Sequence, residues 1–596
     1  MTTDTHQGGG WLLLLLLSIL LLSACGPAPA PTEQPTLATA TPVPPPTGRG
    51  AGGRLRLVYF QAPTLLNPHL AGNVKDIEAS RIVYEPLASF DENGELIPLL
   101  AAEIPSRENG GVAADGRSVT WTLRAGVQWG DGQPFTADDV VFTYAYITNP
   151  DVPAAFTGIY SNIAAVEALD PTTVQITFTE PTPSWWLPFV GTSGMILPRH
   201  RFADYAGANA MDAPANIQAI GTGPYLVNSL QPQEVLFLAN DLVRTNRILY
   251  DVNPYYRVPD QPYFAQVELR GGGTAGVAAR AVLEEGIADF AWNVQLDPDE
   301  IDALEGLGKG AVLTSFESRI HFLQLNLTDP NAGSSPDTPH PILSDQRVRQ
   351  AIAYAINRKA ITTDVYGRLG LPEEHYLISP ANFRSAQTFY PYDLTRAQQL
   401  LDDAGWRDTD GDGIRERNGV RLQLTYQVPV NPQYQQVQTA IARALRSIGM
   451  DVEIVLRDPN VFFGDPTLRG SWTRFQADIA AAGWLSTSPD PQPHMGYWTC
   501  AEIPTEANGW STYNISRYCN PQYDALLAQA ALELDENRRR DLFIQMNDLL
   551  VEDVAMIVVA QLARAAAVNN TLEGVRLTPW DADTWNIQEW QRSPTP

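Results

Sequence analysis

Residues 119–140 read VTWTLRAGVQWGDGQPFTADDV, and three kinds of local structure follow one another in that stretch. From Ser118 to Leu123 polar and apolar side chains alternate, which is the two-residue period of a half-buried strand. Gly130-Asp131-Gly132 has the composition of a tight turn. Thr136 is placed to cap a helix, and Asp138 and Asp139 put negative charge in its first turn, where the helix dipole favours it. Val140, Val141, Tyr144 and Ala145 then fall on one face of that helix.

The same grammar extends in both directions. Arg54 to Tyr59 and Thr173 to Phe178 alternate as strands do, each bounded by Gly, Asp or Pro. A second clear helix begins near Asp345, with Val348, Ala351, Ile352, Ala355 and Ile356 as its apolar stripe and Arg347, Arg349 and Arg358 largely outside it. Leu394 to Ala404, Val437 to Ile448, Tyr523 to Leu534 and Arg538 to Leu550 are further helical segments. Strands and helices alternate without a short repeat, so the fold class is α/β, with mixed sheets in more than one lobe.

Composition limits what such a chain does. Its 596 residues are 44% hydrophobic and 18% charged, a globular composition with length for several domains. A net charge of −27 disfavours nucleic acid as a partner, because phosphate contacts need clustered Lys and Arg. Three cysteines with no CxxC pair exclude a disulfide-dense scaffold and a cysteine-based zinc site.

Trp11 to Leu22, WLLLLLLSILLL, is too short to span a bilayer and fits the apolar core of a secretory signal. Leu22-Ser23-Ala24-Cys25 looks like a bacterial lipobox, in which Cys25 is lipidated and becomes the mature N-terminus; an ordinary signal with an incidental cysteine is the alternative. Met1 to Gly10 departs from the usual pattern by having no Lys or Arg. Residues 26–53, rich in Pro, Ala, Thr and Gly, read as an extended spacer. Together these describe a tethered extracytoplasmic protein, held to the membrane only through lipid. In an oxidising location Cys500 and Cys519 would close a loop of about 20 residues, worth roughly 3 kcal/mol, with two free buried thiols as the alternative.

Catalytic signatures are absent from the sequence: it has no GxSxG elbow, no HExxH and no Walker A motif. Asp408, Asp410 and Asp412 stand at loop positions 1, 3 and 5 of an EF-hand-like pattern with Gly413 at position 6. Position 12 is Gly419 instead of the bidentate Glu, and Glu416 at position 9 is a partial substitute. A surface turn accounts for this calcium-like loop as well as a metal does, so no metal and no cofactor is expected.

The stretch 119–140 closely resembles the signature of bacterial extracellular solute-binding protein family 5, the peptide, oligopeptide and nickel binding proteins of ABC importers. Leu66-Asn67-Pro68, Tyr84-Glu85-Pro86-Leu87, Asn93-Gly94-Glu95 and Pro98-Leu99-Leu100-Ala101 stand in family order. So do Gly221-Thr222-Gly223-Pro224-Tyr225, Asn253-Pro254-Tyr255-Tyr256, the run Arg347 to Arg358, Ala404-Gly405-Trp406, Gly483-Trp484 and Asn520-Pro521-Gln522-Tyr523-Asp524. The resemblance implies a periplasmic-binding-protein-like fold of two lobes joined by two crossing segments, with a third domain inserted. On this chain the lobes map to about 54–88, 214–312 and 560–596 for the first and about 313–559 for the second, with the insertion at about 89–213. The crossings fall near Ser318 to Leu325 and Val559 to Ala567.

By the same resemblance the protein is a monomeric binder and not an enzyme. It captures a peptide or another small solute between its lobes and delivers it to an ABC permease and its ATPase. In peptide-binding members an aspartate three residues after the tryptophan of Gly-Trp pairs with the ligand amine. Here that position is Thr487, while Asp490-Pro491 does match the family's Asp-Pro. The ligand-binding residues implied are therefore Trp484, Thr487 and Asp490, with a turn-capping role as the alternative for Asp490. Trp185, Trp186, Trp498 and Trp510 are further candidates to line the cleft. An oligosaccharide is the alternative ligand, and a secreted hydrolase or a solute sensor the alternative from another class.

Overall fold

The computed structural model describes residues 48–593 except 239–240, 333–336, 469, 475 and 487. Among them, one mixed sheet of eleven strands forms the backbone of the molecule. Its spatial order is Asp451–Arg457, Gln423–Pro429, Ile479–Trp484, Gly310–Leu325, Met556–Asn569, Phe290–Trp292, Arg54–Tyr59, Gln266–Gly271, Asp241–Val252 and Tyr225–Leu238. Gly370–Pro372 pairs beside this path with Met556–Asn569.

Two long antiparallel strands run through the middle. Gly310–Leu325 pairs with Met556–Asn569 from Gly310 opposite Asn569 to Gln324 opposite Met556. Their register shifts twice, between Phe316 and Ile320 and between His321 and Phe322. At one end Phe290 pairs with Val568. At the other, Ile320 to Leu325 pair with Trp484 to Ile479. Each end has its own apolar core: Leu57, Tyr250, Phe290 and Trp590 belong to one, and Leu325, Ile352, Tyr426 and Ile441 to another. The fold is the two-lobed α/β architecture of periplasmic binding proteins.

A third core, around Trp121, Trp129 and Ile176, belongs to the segment that holds residues 119–140. Ser118–Thr122, Thr173–Phe178 and Ile163–Asp170 make a three-stranded antiparallel sheet there, and Ala137–Thr148 is the helix. Asp139 ties the stretch together. One of its carboxylate oxygens accepts from the Thr136 amide at 3.0 Å and from Trp129 Nε1 at 3.3 Å; the other accepts from the Arg199 amide at 3.0 Å. Gly132 sits at φ 85°, in the left-handed region that side chains avoid. The motif is thus a folding device.

Other short motifs meet across long sequence distances. Glu85 accepts from the Thr222 hydroxyl at 3.0 Å and from Arg257 at 2.5 Å. Gly221 lies so close to the Val83 carbonyl that a Cβ would stand 1.9 Å from it. Asn253 Nδ2 donates to the Gly223 carbonyl at 2.8 Å. These contacts bind Tyr84-Glu85-Pro86, Gly221-Thr222-Gly223 and Asn253-Pro254-Tyr255 into one framework.

The expected helices are present with shifted ends: Gln346–Ala355, Leu394–Asp403, Pro432–Arg446, Pro521–Ala530 and Glu536–Glu552. The helix Pro432–Arg446 starts earlier than its apolar pattern because Asn431 caps it and Pro432 occupies its first turn. Two readings change. Arg349, placed outside the apolar stripe, is buried and donates to the carbonyls of Leu343, Ser344, Asp553 and Val554. Residues 48–53, read from composition as spacer, are bonded to the body. Arg49 donates to the carbonyls of Pro254, Tyr256 and Val258, and the amides of Gly50 and Gly52 donate to those of Pro262 and Tyr263. Composition registers the prolines but not a bond partner two hundred residues away.

Candidate functional site

The strand Ile479–Trp484 leaves the sheet beside the register shift of Gly310–Leu325, and around its end Gly483, Ser486 and Asp490 are fastened at four points, to Tyr434, Ser318, His494 and Arg539. The Gly483 amide donates to the Tyr434 hydroxyl at 2.9 Å. The Ser318 hydroxyl donates to the Ser486 carbonyl at 2.5 Å and accepts from the Ser486 amide at 3.0 Å. Ser486 Oγ lies 3.1 Å from His494 Nδ1, and the Asp490 amide donates to Ser488 Oγ at 3.1 Å. Ser318 stands between Phe316 and Ile320, where the register of the central pair shifts. Ser486 is therefore bonded directly to a central strand.

Asp490 is the fourth anchor. Its side chain is fully buried, and Arg539 grips it with both terminal nitrogens, Nη1 to Oδ2 at 2.8 Å and Nη2 to Oδ1 at 2.9 Å. Oδ1 also accepts the Gln492 amide at 2.8 Å, as an aspartate before a short helical turn does. Arg539 completes its own bonds on the Ala530 carbonyl and Gln492 Oε1, and its guanidinium lies 4.9 Å over the Phe543 ring. In this arrangement both Asp490 oxygens are engaged inside the protein. A bidentate guanidinium–carboxylate pair is strong and geometrically exacting, so Asp490 acts as a strut for the segment.

Behind the segment sit two neutral imidazoles. Burial pushes His494 down to about 4, against the opposing pull of Asp490. Burial likewise pushes His321 down to about 3. His321 Nδ1 is 2.8 Å from the Tyr366 hydroxyl, and its ring packs edge-on against Tyr434 at 5.1 Å. Tyr434 therefore links His321 to the Gly483 amide.

The remaining predicted residues are placed as follows. The backbone of Trp484 pairs with Ile320. Thr487 and Cys25 lie outside the described residues. Cys500 and Cys519 are joined in a disulfide across a sequence separation of 19, a cross-link worth about 3 kcal/mol through the entropy it removes from the unfolded chain. Trp498 is buried in an apolar cluster against Tyr376, so core packing accounts for it. Trp185 and Trp186 are half-buried against Trp121 and Phe90. Trp510 carries the Arg474 guanidinium 4.7 Å over its ring.

Asp408, Asp410, Asp412 and Glu416 bring carboxylate oxygens within 4.8 Å of one another. Asp408 accepts from the amides of Gly411 and Gly413, Asp412 from that of Ile414 and from Arg421 at 2.6 Å, and Glu416 from the Thr409 amide. Those bonds account for the orientation of the loop as a turn. Sequence reasoning placed Ser318 only at the edge of a crossing segment and missed Tyr434 and Arg539. For Arg539 a signal existed: it falls on the buried face of its helix with Phe543, Met546 and Leu550, and an arginine on such a face needs a partner.

Comparison with known proteins shows the family. Residues 95–506 match the family described as "Bacterial extracellular solute-binding proteins, family 5 Middle". The chain belongs to that family of solute-binding proteins. Among its relatives is the di/tripeptide-binding protein 1 of Pseudomonas aeruginosa, 24% identical over 532 residues, which are 85% of this chain and 88% of that one. The oligopeptide-binding protein AppA of Bacillus subtilis is 24% identical over 551 residues, 90% of this chain and 91% of that protein. Two solved structures share the fold. The substrate binding protein CtaP of Listeria monocytogenes superposes with a TM-score of 0.73 at 21% identity, covering 91% of this chain and 99% of its own. NikZ of Campylobacter jejuni, solved with Ni(L-His), does so with 0.69 at 23%, covering 90% and 99%.

Proposed function

We propose that the protein captures short peptides between its two lobes and presents them to an ABC permease driven by its ATPase. The observation that carries the ligand class is the match along 532 residues with a di/tripeptide-binding protein. The segment 484–490 forms one wall of the cleft, Trp484 supplies an apolar platform, and Thr487 meets a polar group of the ligand. Asp490 serves this wall from behind. Ligand stabilises closure because only the closed state offers contacts from both lobes, and the Ser318–Ser486 bonds couple the wall to the central strands.

Titration calorimetry with an Ala-Ala-Ala tripeptide and with maltotriose tests the ligand class, with small-angle scattering on the same samples. Saturable peptide binding, a smaller radius of gyration and intact peptide recovered afterwards are expected. Closure on maltotriose with no response to peptides would move the ligand to sugars; cleaved peptide would make the protein a hydrolase.

The anchoring reading rests on Leu22-Ser23-Ala24-Cys25 ahead of a proline-rich stretch. Lipid on Cys25 holds the protein to the membrane, with more than one acyl chain because a single chain binds only marginally. Cys25→Ser is expected to move the protein from the membrane fraction to the soluble one with unchanged peptide affinity. Retention of the serine variant in membranes would place the anchor elsewhere.

A further inference from the structure

A cavity of about 440 Å³ opens beside the strand Gly370–Pro372, lined by parts of residues 356–359, 372–375 and 384–392. It shares no residue with the 483–491 wall. Its size is that of a small-molecule site, and its charges are unevenly committed. Glu374 accepts from the amides of Phe389 and Tyr390, both at 3.0 Å, one on each oxygen. Glu373 Oε1 accepts from the amides of Glu374 and His375, and its Oε2 is 2.7 Å from Arg384 Nη2. His375 has Nε2 at 2.9 Å from the Gln387 carbonyl and 4.0 Å from Glu374 Oε1, and Nδ1 at 2.9 Å from Asn547 Nδ2. Both oxygens of Glu374 are thus engaged by amides, while Glu373 Oε2 has the Arg384 ion pair and no hydrogen bond.

Arg358 and Lys359 make no hydrogen bond to either carboxylate. Arg358 donates to three backbone carbonyls, those of Val558, Ala353 and Tyr390, and to no carboxylate. Lys359 is exposed and has no ion-pair partner among the described residues. Three cations, Arg358, Lys359 and Arg384, thus line the cavity against two carboxylates, Glu373 and Glu374, whose charges act on Arg358; Lys359 is the cation left over in a protein whose net charge is −27. Tyr392, 49% exposed, also lines it.

We propose that this cavity is a second ligand site, distinct from the peptide cleft, which takes a small oxyanion-bearing solute (a di- or tricarboxylate, or a phosphate) between Arg358 and Lys359. Charge-assisted bonds from guanidinium and ammonium groups supply the recognition. Occupancy reaches the centre of the molecule, because Arg358 Nε holds the Val558 carbonyl at 2.8 Å on one of the two central strands.

The test is titration calorimetry of the full chain with citrate and, separately, with inorganic phosphate, each up to ~10 mM. One saturable site is expected for at least one probe, and whichever binds more tightly identifies the source of the oxyanion. Lys359→Glu is expected to weaken that binding at least about tenfold. Lys309→Glu, remote from the cavity, is expected to leave it unchanged. Arg358 is not a suitable target, since its bonds hold three backbone carbonyls. Absence of saturable binding by either probe overturns the proposal, as does binding that Lys359→Glu leaves intact or that both lysine variants weaken equally.

Discussion

Replacing Asp490 by Asn is expected to lower the unfolding free energy by about 3–5 kcal/mol, the usual cost of removing one partner from a buried ion pair. The reason is geometric. The Asp490 side chain is fully buried, the Arg539 side chain is 10% exposed, and two parallel bonds of 2.8 and 2.9 Å join them. An amide neutralises one charge and leaves a guanidinium without its counter-ion in a place water reaches poorly. Arg539→Ala is expected to cost a similar amount, leaving the carboxylate unpaired. Asp490→Leu with Arg539→Met is expected to be more stable than either single variant, because neither change then leaves an isolated charge. Denaturant melts of the four proteins measure this. Peptide affinity of Asp490→Asn, taken well below its melting point, is expected to move less than about twofold. A fall of thirtyfold or more with unchanged stability would return Asp490 to the ligand and overturn its role as a strut.

Acidification is expected to destabilise the protein steeply between pH 6.5 and about 4. Three imidazoles are buried and neutral: burial pushes His69 and His494 down to about 4 and His321 to about 3. The unfolded chain binds protons at these residues near the ordinary value of 6.5, and the folded protein does not. Because the folded values are depressed, the stabilisation is complete above pH 6.5 and is lost as pH falls towards the folded values. Glu78 acts in the opposite sense. Burial, then the neighbouring Asp583, raises its carboxyl well above the usual range, so folding retains a proton there. Three histidines against the raised carboxyls of Glu78 and Asp139 leave a net uptake of about one to two protons on unfolding near pH 5.5, or roughly 1–3 kcal/mol per pH unit. Calorimetric unfolding in buffers of different ionisation enthalpy counts those protons. Zero uptake, or release, would mean that the imidazoles are charged in the folded protein.

Wherever structure depends on neighbours in the chain, it is legible in this sequence. The strand, turn and cap of residues 118–148 are present with their ends moved by a residue or so, because Gly132 and Thr136 with Asp139 act through the backbone within a few positions of themselves. The order of such motifs along the chain was enough to place it among the family 5 solute-binding proteins. Only the tertiary structure decided what polar groups do once buried. In the sequence Asp490 reads equally as ligand group or turn cap, and nothing local shows that Arg539, forty-nine residues on, holds both its oxygens. Arg349 reads as lying outside the apolar stripe of its helix until the carbonyls of Asp553 and Val554 are found beside it. An apolar residue reports its burial through a period of two or 3.6. A buried charge instead needs one partner, supplied by another element at any separation, and no local pattern records which.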